Sequence, residues 1–199
     1  MAAELPELLL PDAAAWRSWL EERHADSPGV RLILGRKGGT VTTLDYDGAL
    51  DEALCFGWID GQSGRRDAES YFQRFVPRGP RSMWSLRNVA HVARLEAEGR
   101  MRPAGRAAVE QAKANGRWER AYAGSAAAEL PEDLAQAIAA DPEAQAMFDV
   151  LTAQNRYALV FRLGQLKTKA ARDRKIAGFV QMLARHEAPY PQKRQPGDE

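Results

Sequence analysis

The sequence predicts an α+β protein: a small antiparallel three-stranded sheet with N-terminal helices, followed by a C-terminal bundle of about five helices. Three observations carry this. Val30, Leu32 and Leu34 alternate with Ile33 over Val30 to Arg36, the two-residue period of a strand. Two further strand-like runs, Trp58 to Gln62 and Glu69 to Val76, flank a polar turn through Gly64 to Asp67, the pattern of an antiparallel hairpin. From Ser85 onward the apolar residues recur only at helical spacing.

Along the chain, Asp12 can cap a first helix whose Ala15, Trp16, Trp19 and Leu20 form one apolar stripe, and Ser27-Pro28-Gly29 ends it. After the Val30 strand, Gly38-Gly39 makes a turn, and Thr42 with Asp45 has the spacing of a capping box. The next helix carries Tyr46, Ala49, Leu50, Ala53 and Leu54, and Gly57 can stop it. Beyond the hairpin, Ser85 caps a helix ending at Gly99, and Pro103 opens one ending near Gly116. Helices then start near Pro131 and at Asp141-Pro142, succeeded by Asn155 to Leu166 and Lys169 to Arg185. In the last, Ile176, Phe179, Val180 and Leu183 fall on one face.

This order predicts residues 1–80 as an α/β half and residues 81–186 as a helical half packed on it in one structural unit. The Ala/Gly/Ser stretch Ala121 to Ala128 is expected to be a linker. Residues 187–199, rich in Pro, Gln and charge, are expected to be a disordered tail.

With 28 basic and 27 acidic residues, the chain lacks the overall charge of a dedicated nucleic-acid binder. Cys55 is the only cysteine, so no intrachain disulfide can form. Met1 to Pro11 has no signal-peptide pattern, and no apolar run approaches the roughly 20 residues of a membrane span. A cytoplasmic address is the expectation. His24, His91 and His186 are scattered, which predicts no metal site, and no cofactor motif is present. Cys55, between Leu54 and Phe56, reads as a buried small hydrophobe rather than a nucleophile.

The candidate site is the run from Cys55 to Gln62 together with Tyr71 to Arg78 and Ser82 to Ser85. Strand alternation puts Trp58, Asp60 and Gln62 on one face, with Phe72, Arg74 and Val76 together on the partner strand. A register placing Asp60 beside Arg74 would set an ion pair among aromatic rings, either as architecture or as a pocket. In the second case Trp58, Asp60, Gln73, Arg74, Arg78 and Trp84 would bind a small anionic or aromatic ligand or a protein partner. An enzymatic alternative makes Asp60 a general base and Arg74 an anion clamp.

The runs FGWIDGQ (Phe56 to Gln62), QRFVPR (Gln73 to Arg78), SMWS (Ser82 to Ser85) and GRMRPAG (Gly99 to Gly105) resemble the YdeI/OmpD-associated, bacteriocin-protection family. The resemblance extends from Trp16 to about Arg185. It implies a small bacterial protein of stress or toxin tolerance, mostly cytoplasmic and with no reaction to carry over. Two departures stand out. Arg102 occupies the place of a helix-capping threonine before Pro103, and Gly164 to Arg172 lacks the family's glutamate.

Gln154 to Arg185 holds eight basic residues and one acid, whereas Glu119 to Asp149 holds seven acids and one arginine. Complementary charged rims explain this simply. The sharper alternative has Lys169, Arg172 and Lys175 contacting the phosphates of a nucleic acid, which the near-neutral whole chain weighs against.

Overall fold

The N-terminal helix begins where Asp12 accepts a hydrogen bond from the Ala15 amide, as its sequence predicts. A computed structural model describes residues 5–124 and 129–198. Among these the chain is α+β, with eight helices and a four-stranded mixed sheet. It divides into two compact units, Met1–Ala121 and Tyr122–Glu199. Of the expected linker, residues 125–128 lie outside the described residues.

The first unit runs β1 (Glu7–Leu8), α1 (Ala13–Arg23), β2 (Val30–Gly35), α2 (Tyr46–Cys55), β3 (Trp58–Arg65), β4 (Ser70–Pro77), α3 (Leu86–Ala97) and α4 (Pro103–Ala114). The strand order is β1-β2-β4-β3. The hairpin β3–β4 and the β2–β4 pair are antiparallel, but β1 runs parallel to β2. The expected three-stranded sheet is therefore one strand short. Two residues bounded by prolines are too few to show any alternation, and β1 is recruited by the Arg31 amide donating to the Pro6 carbonyl at 2.8 Å. The capping box also differs: Asp45 itself caps α2 by accepting from the Gly48 amide. Thr42 instead donates to the Leu10 and Pro11 carbonyls and accepts from the Leu44 amide.

The core of this unit centres on Trp16. Its ring stacks on Trp19 at 5.2 Å and meets Trp58 edge-on at 6.1 Å, with Phe75 at 5.9 Å. Two buried indoles keep a partner for the N–H: Trp16 donates to the Ala49 carbonyl and Trp58 to the His24 carbonyl, both at 3.1 Å. Val92 and Leu95 of α3 and Val109 and Ala112 of α4 belong to the same core. These two helices are thus part of the sheet-bearing unit, not of a separate bundle.

Among the described residues six helices come after β4, one at each of the six places where the sequence starts one, and four of them form the second unit: α5 (Glu132–Ala139), α6 (Pro142–Asp149), α7 (Ala153–Gly164) and α8 (Lys169–Ala184). Leu134, Ile138, Met147, Leu159, Leu163, Phe179 and Leu183 fill its core. Past α8 the chain is held by the buried side chain of Asn155, which donates to the Tyr190 carbonyl at 3.1 Å and accepts from the Tyr190 amide at 2.9 Å.

The crossing of α2 and α4 depends on missing side chains. Gly57 turns the chain after α2 with φ of 73°, the left-handed conformation glycine tolerates. Gly105, in the first turn of α4, lies so close to α2 that a Cβ there would stand 2.3 Å from the Cys55 carbonyl oxygen. Backbone cannot yield at that distance. Gly105→Ala is therefore expected to destabilise the protein by roughly 1–3 kcal/mol, despite alanine's better helix propensity, as read by thermal or denaturant unfolding.

Candidate functional site

The register of the hairpin separates the two residues expected to pair. Asp60 stands opposite Phe75, and directly opposed residues share a face, so Asp60 points to the core side and Arg74 to the other. Arg74 is exposed, opposite Arg31 of β2. The Asp60 carboxylate instead accepts from the Tyr46 hydroxyl at 2.9 Å. Burial and the neighbouring Asp60 charge push the Tyr46 hydroxyl well above the usual tyrosine value.

The remaining expected site residues are dispersed. Trp58 is core. Trp84 is buried against Trp118, ring centres 4.9 Å apart, with the Arg78 guanidinium 3.6 Å above its ring. Arg78 also donates to the Met83 carbonyl, and the cavity beside the pair measures about 10 Å³, the room of one water molecule. Gln73 is buried and donates to the Gly61 carbonyl at 2.6 Å. That bond spans a break in the β3–β4 ladder: pairing jumps from Asp60–Phe75 to Ser63–Gln73, leaving Gly61 and Gln62 as a bulge.

Past the bulge the same face opens. Arg36, Ser63, Gly64, Arg65 and Tyr71 line a pocket of about 330 Å³. Arg65 pairs with Tyr71 across the ladder, and the Arg36 guanidinium lies over the Tyr71 ring at 5.6 Å. Phe72 lies across Gly64: a Cβ there would meet that ring at 2.2 Å, so any larger residue would have to displace the ring. Burial, then the nearby Asp45, raises the Tyr71 hydroxyl above its ordinary value. Among the described residues neither Arg36 nor Arg65 makes an ion pair. Sequence reading missed both, since each sits in a turn-like polar stretch; the RR doublet Arg65-Arg66 at a hairpin end is the only signal present.

A second cluster escaped the sequence entirely. On α2, adjacent Asp51 and Glu52 are both buried. Glu52 accepts from Arg17 of α1 and from Arg100 after α3, each at 2.6 Å. Asp51 accepts from Arg94 and from His91 of α3, each at 2.7 Å. Burial alone would raise the Asp51 carboxyl, but the hydrogen bonds from Arg94 and His91 outweigh it and hold it below the ordinary aspartate value. Next to them, burial and then Glu52 raise the buried Cys55 thiol above the ordinary cysteine value. Arg102, lacking a capping side chain, leaves the α4 N-terminus without a side-chain cap and pairs with Glu21 instead.

In the second unit the three basic residues of α8 have partners. Lys169 pairs with Asp173 at 2.8 Å, Arg172 pairs with Asp133 of α5 at 2.6 Å, and Lys175 lies over the Phe179 ring at 5.1 Å. Among the described residues no helix is long and apolar enough to cross a membrane, and no group of three or more His, Cys, Asp or Glu stands ready to hold a metal ion.

Two family models match the chain. One, described as a domain of unknown function (DUF8412), covers residues 8–108. The other, described as bacteriocin-protection, YdeI or OmpD-associated, covers residues 127–186. The four runs that carried the resemblance to the latter family all lie before residue 127, within the first match, so the two descriptions fall on successive segments. No curated protein and no solved structure matches.

The geometry sets two expected outcomes. Asp51→Asn is expected to destabilise the protein by about 2 kcal/mol at neutral pH, less than for a fully enclosed pair because the Arg94 side chain is 44% exposed. Because the Asp51 value is lowered by folding, its stabilisation is present above the unfolded aspartate value of about 3.9 and is lost as pH falls through the folded one. Unfolding measured from pH 7 to pH 3 should therefore show the difference between wild type and variant shrinking on acidification. Arg74→Ala, by contrast, removes no partner, and its unfolding midpoint should correspond to a change of less than about 0.5 kcal/mol.

Proposed function

The chain belongs to the family described as a domain of unknown function, DUF8412, and from the geometry within residues 8–108 we propose that it is a non-catalytic binding module for a small oxyanion of the phosphate or sulfate class. The observation that carries this reading is the convergence of Arg36 and Arg65, neither ion-paired among the described residues, on one pocket of about 330 Å³. A planar guanidinium matches an oxyanion with two parallel N–H donors, and two of them facing one space neutralise a dianion. The Ser63 and Tyr71 hydroxyls line the same space and can donate further bonds.

The bulge supports the reading. Extra residues in one strand re-aim the side chains beyond them, and the buried Gln73 amide fixes this bulge by binding the Gly61 carbonyl. Gln73 is thus a positioning residue for Ser63 and Arg65. The description of the match at residues 127–186, bacteriocin-protection, supports placing such binding in a tolerance role.

Titration calorimetry with orthophosphate and pyrophosphate at low salt tests the proposal. The wild type should bind pyrophosphate more tightly, with affinity falling as salt rises. Arg36→Gln and Arg65→Gln should each weaken binding about tenfold, the loss of roughly 1.4 kcal/mol from one charge-assisted contact. Affinity that is equal in both variants and the wild type, or an absence of heat with either anion, would overturn it.

A further inference from the structure

The second unit contains a pocket of different chemistry. Gln154, Tyr157, Ala158, Phe161 and Arg162 lie at i, i+3, i+4, i+7 and i+8 along α7, one face of the helix. With Tyr122 and Tyr190 they line a cavity of about 340 Å³. Four aromatic rings thus surround one space. Tyr122 meets Phe161 edge-on at 5.0 Å, and Tyr157 lies 5.8 Å from Phe161.

Two polar devices hold these walls. The Tyr157 hydroxyl donates to the Ala123 carbonyl at 3.2 Å, tying the chain before the unit's first helix to α7. Asn155, on the same helix and 1% exposed, grips the backbone of Tyr190 through both its amide groups. A buried asparagine used this way fixes the backbone that carries the Tyr190 ring, itself 43% exposed.

Among the described residues the only charged group lining the cavity is Arg162. It is half-buried, makes no ion pair among those residues, and lies over the Tyr190 ring at 5.5 Å. Ring faces alone would attract a cation, but Arg162 already supplies one and repels a second. The space then favours a flat ligand that stacks on the rings and presents an anion to the guanidinium, with the Gln154 amide able to donate beside it.

We infer that this pocket, formed by Tyr122, Tyr157, Phe161, Tyr190, Arg162 and Gln154, binds a planar aromatic carboxylate of one or two rings. Arg162 clamps the carboxylate, the tyrosines and Phe161 hold the ring, and Asn155 positions Tyr190.

The test uses the full chain and the probe 2-naphthoate, measured by calorimetry and ligand-detected NMR, with 2-naphthylmethylammonium as the oppositely charged isostere. Binding of the naphthoate and not of the ammonium is expected. Arg162→Gln and Tyr190→Ala should each weaken the naphthoate by about tenfold or more. Both positions lie on the rim of the unit, and circular dichroism on each variant establishes that the helices persist. Arg65→Ala, in the other unit, should leave naphthoate affinity unchanged, which keeps this site distinct from the oxyanion pocket. No naphthoate binding, preference for the ammonium, or unchanged affinity in the folded Arg162→Gln and Tyr190→Ala proteins would each overturn the inference, as would loss of binding in Arg65→Ala.

Discussion

The N-terminal unit depends on two adjacent carboxylates placed where a helix should be apolar. Asp51 and Glu52 sit among Ala49, Leu50, Ala53 and Leu54 on α2, all buried. Buried charge is tolerated only when paired, and each acid here draws arginines from a different part of the chain. Arg17 arrives from α1, Arg94 with His91 from α3, and Arg100 from the turn before α4. Arg17 also donates to the Arg100 carbonyl at 3.2 Å, and Glu98 accepts from both Arg94 and Arg100, so the contacts close on one another. The hydrophobic core is non-directional and would accept several helix placements. The charge network is more selective, because a shift of either neighbour takes one partner away from a buried carboxylate. The close approach at Gly105 is possible only because α2 and the segment leading into α4 are held in that register.

Much of the first unit was legible because local rules and tertiary demands agree. Asp12 and Ser85 act as the caps their spacing implies, a helix starts at Asp141-Pro142 in the second unit, and the alternation of Val30, Leu32 and Leu34 places them in the core. The hairpin was legible from its turn. The failures had non-local causes. The two residues of β1 become a strand only because β2 offers an edge, and nothing in Glu7-Leu8 encodes that. The bulge at Gly61-Gln62 shifts the β3 register, and alternation cannot reveal a shift of this kind. One misplaced register moves a side chain to the opposite face, which is how Asp60 and Arg74 came to be expected together.

The site suffered more than the fold for the same reason. Aromatic residues and arginines concentrated at Trp58 to Trp84 suggested a pocket, but in the structure the tryptophans there pack as core and Arg78 lies flat on Trp84. The pockets themselves draw on residues from separated segments: Arg36 with Arg65 in one case, Tyr122 with Arg162 and Tyr190 in the other. Neither combination has a spacing rule. The tail illustrates the point from the other side. Its composition predicts disorder, yet Asn155 holds Tyr190 through two hydrogen bonds that span 35 residues of chain.

Arginine pairing separates architecture from binding only when combined with shape. An exposed guanidinium is well solvated without a partner, so the lack of one at Arg74 carries no functional meaning by itself. Arg17, Arg94 and Arg100 are committed to buried acids, and removing any of them would leave a carboxylate short of a partner in the core. Arg36, Arg65 and Arg162 are not committed in this way. Each borders a cavity of more than 300 Å³ and lies against a tyrosine ring or pairs with one across a strand. The ring limits the side chain's freedom, and a pre-ordered guanidinium loses less entropy when an anion arrives. Cavity, lack of an ion pair among the described residues and a ring beneath the guanidinium coincide at Arg36 and Arg162, and each condition is empty without the other two.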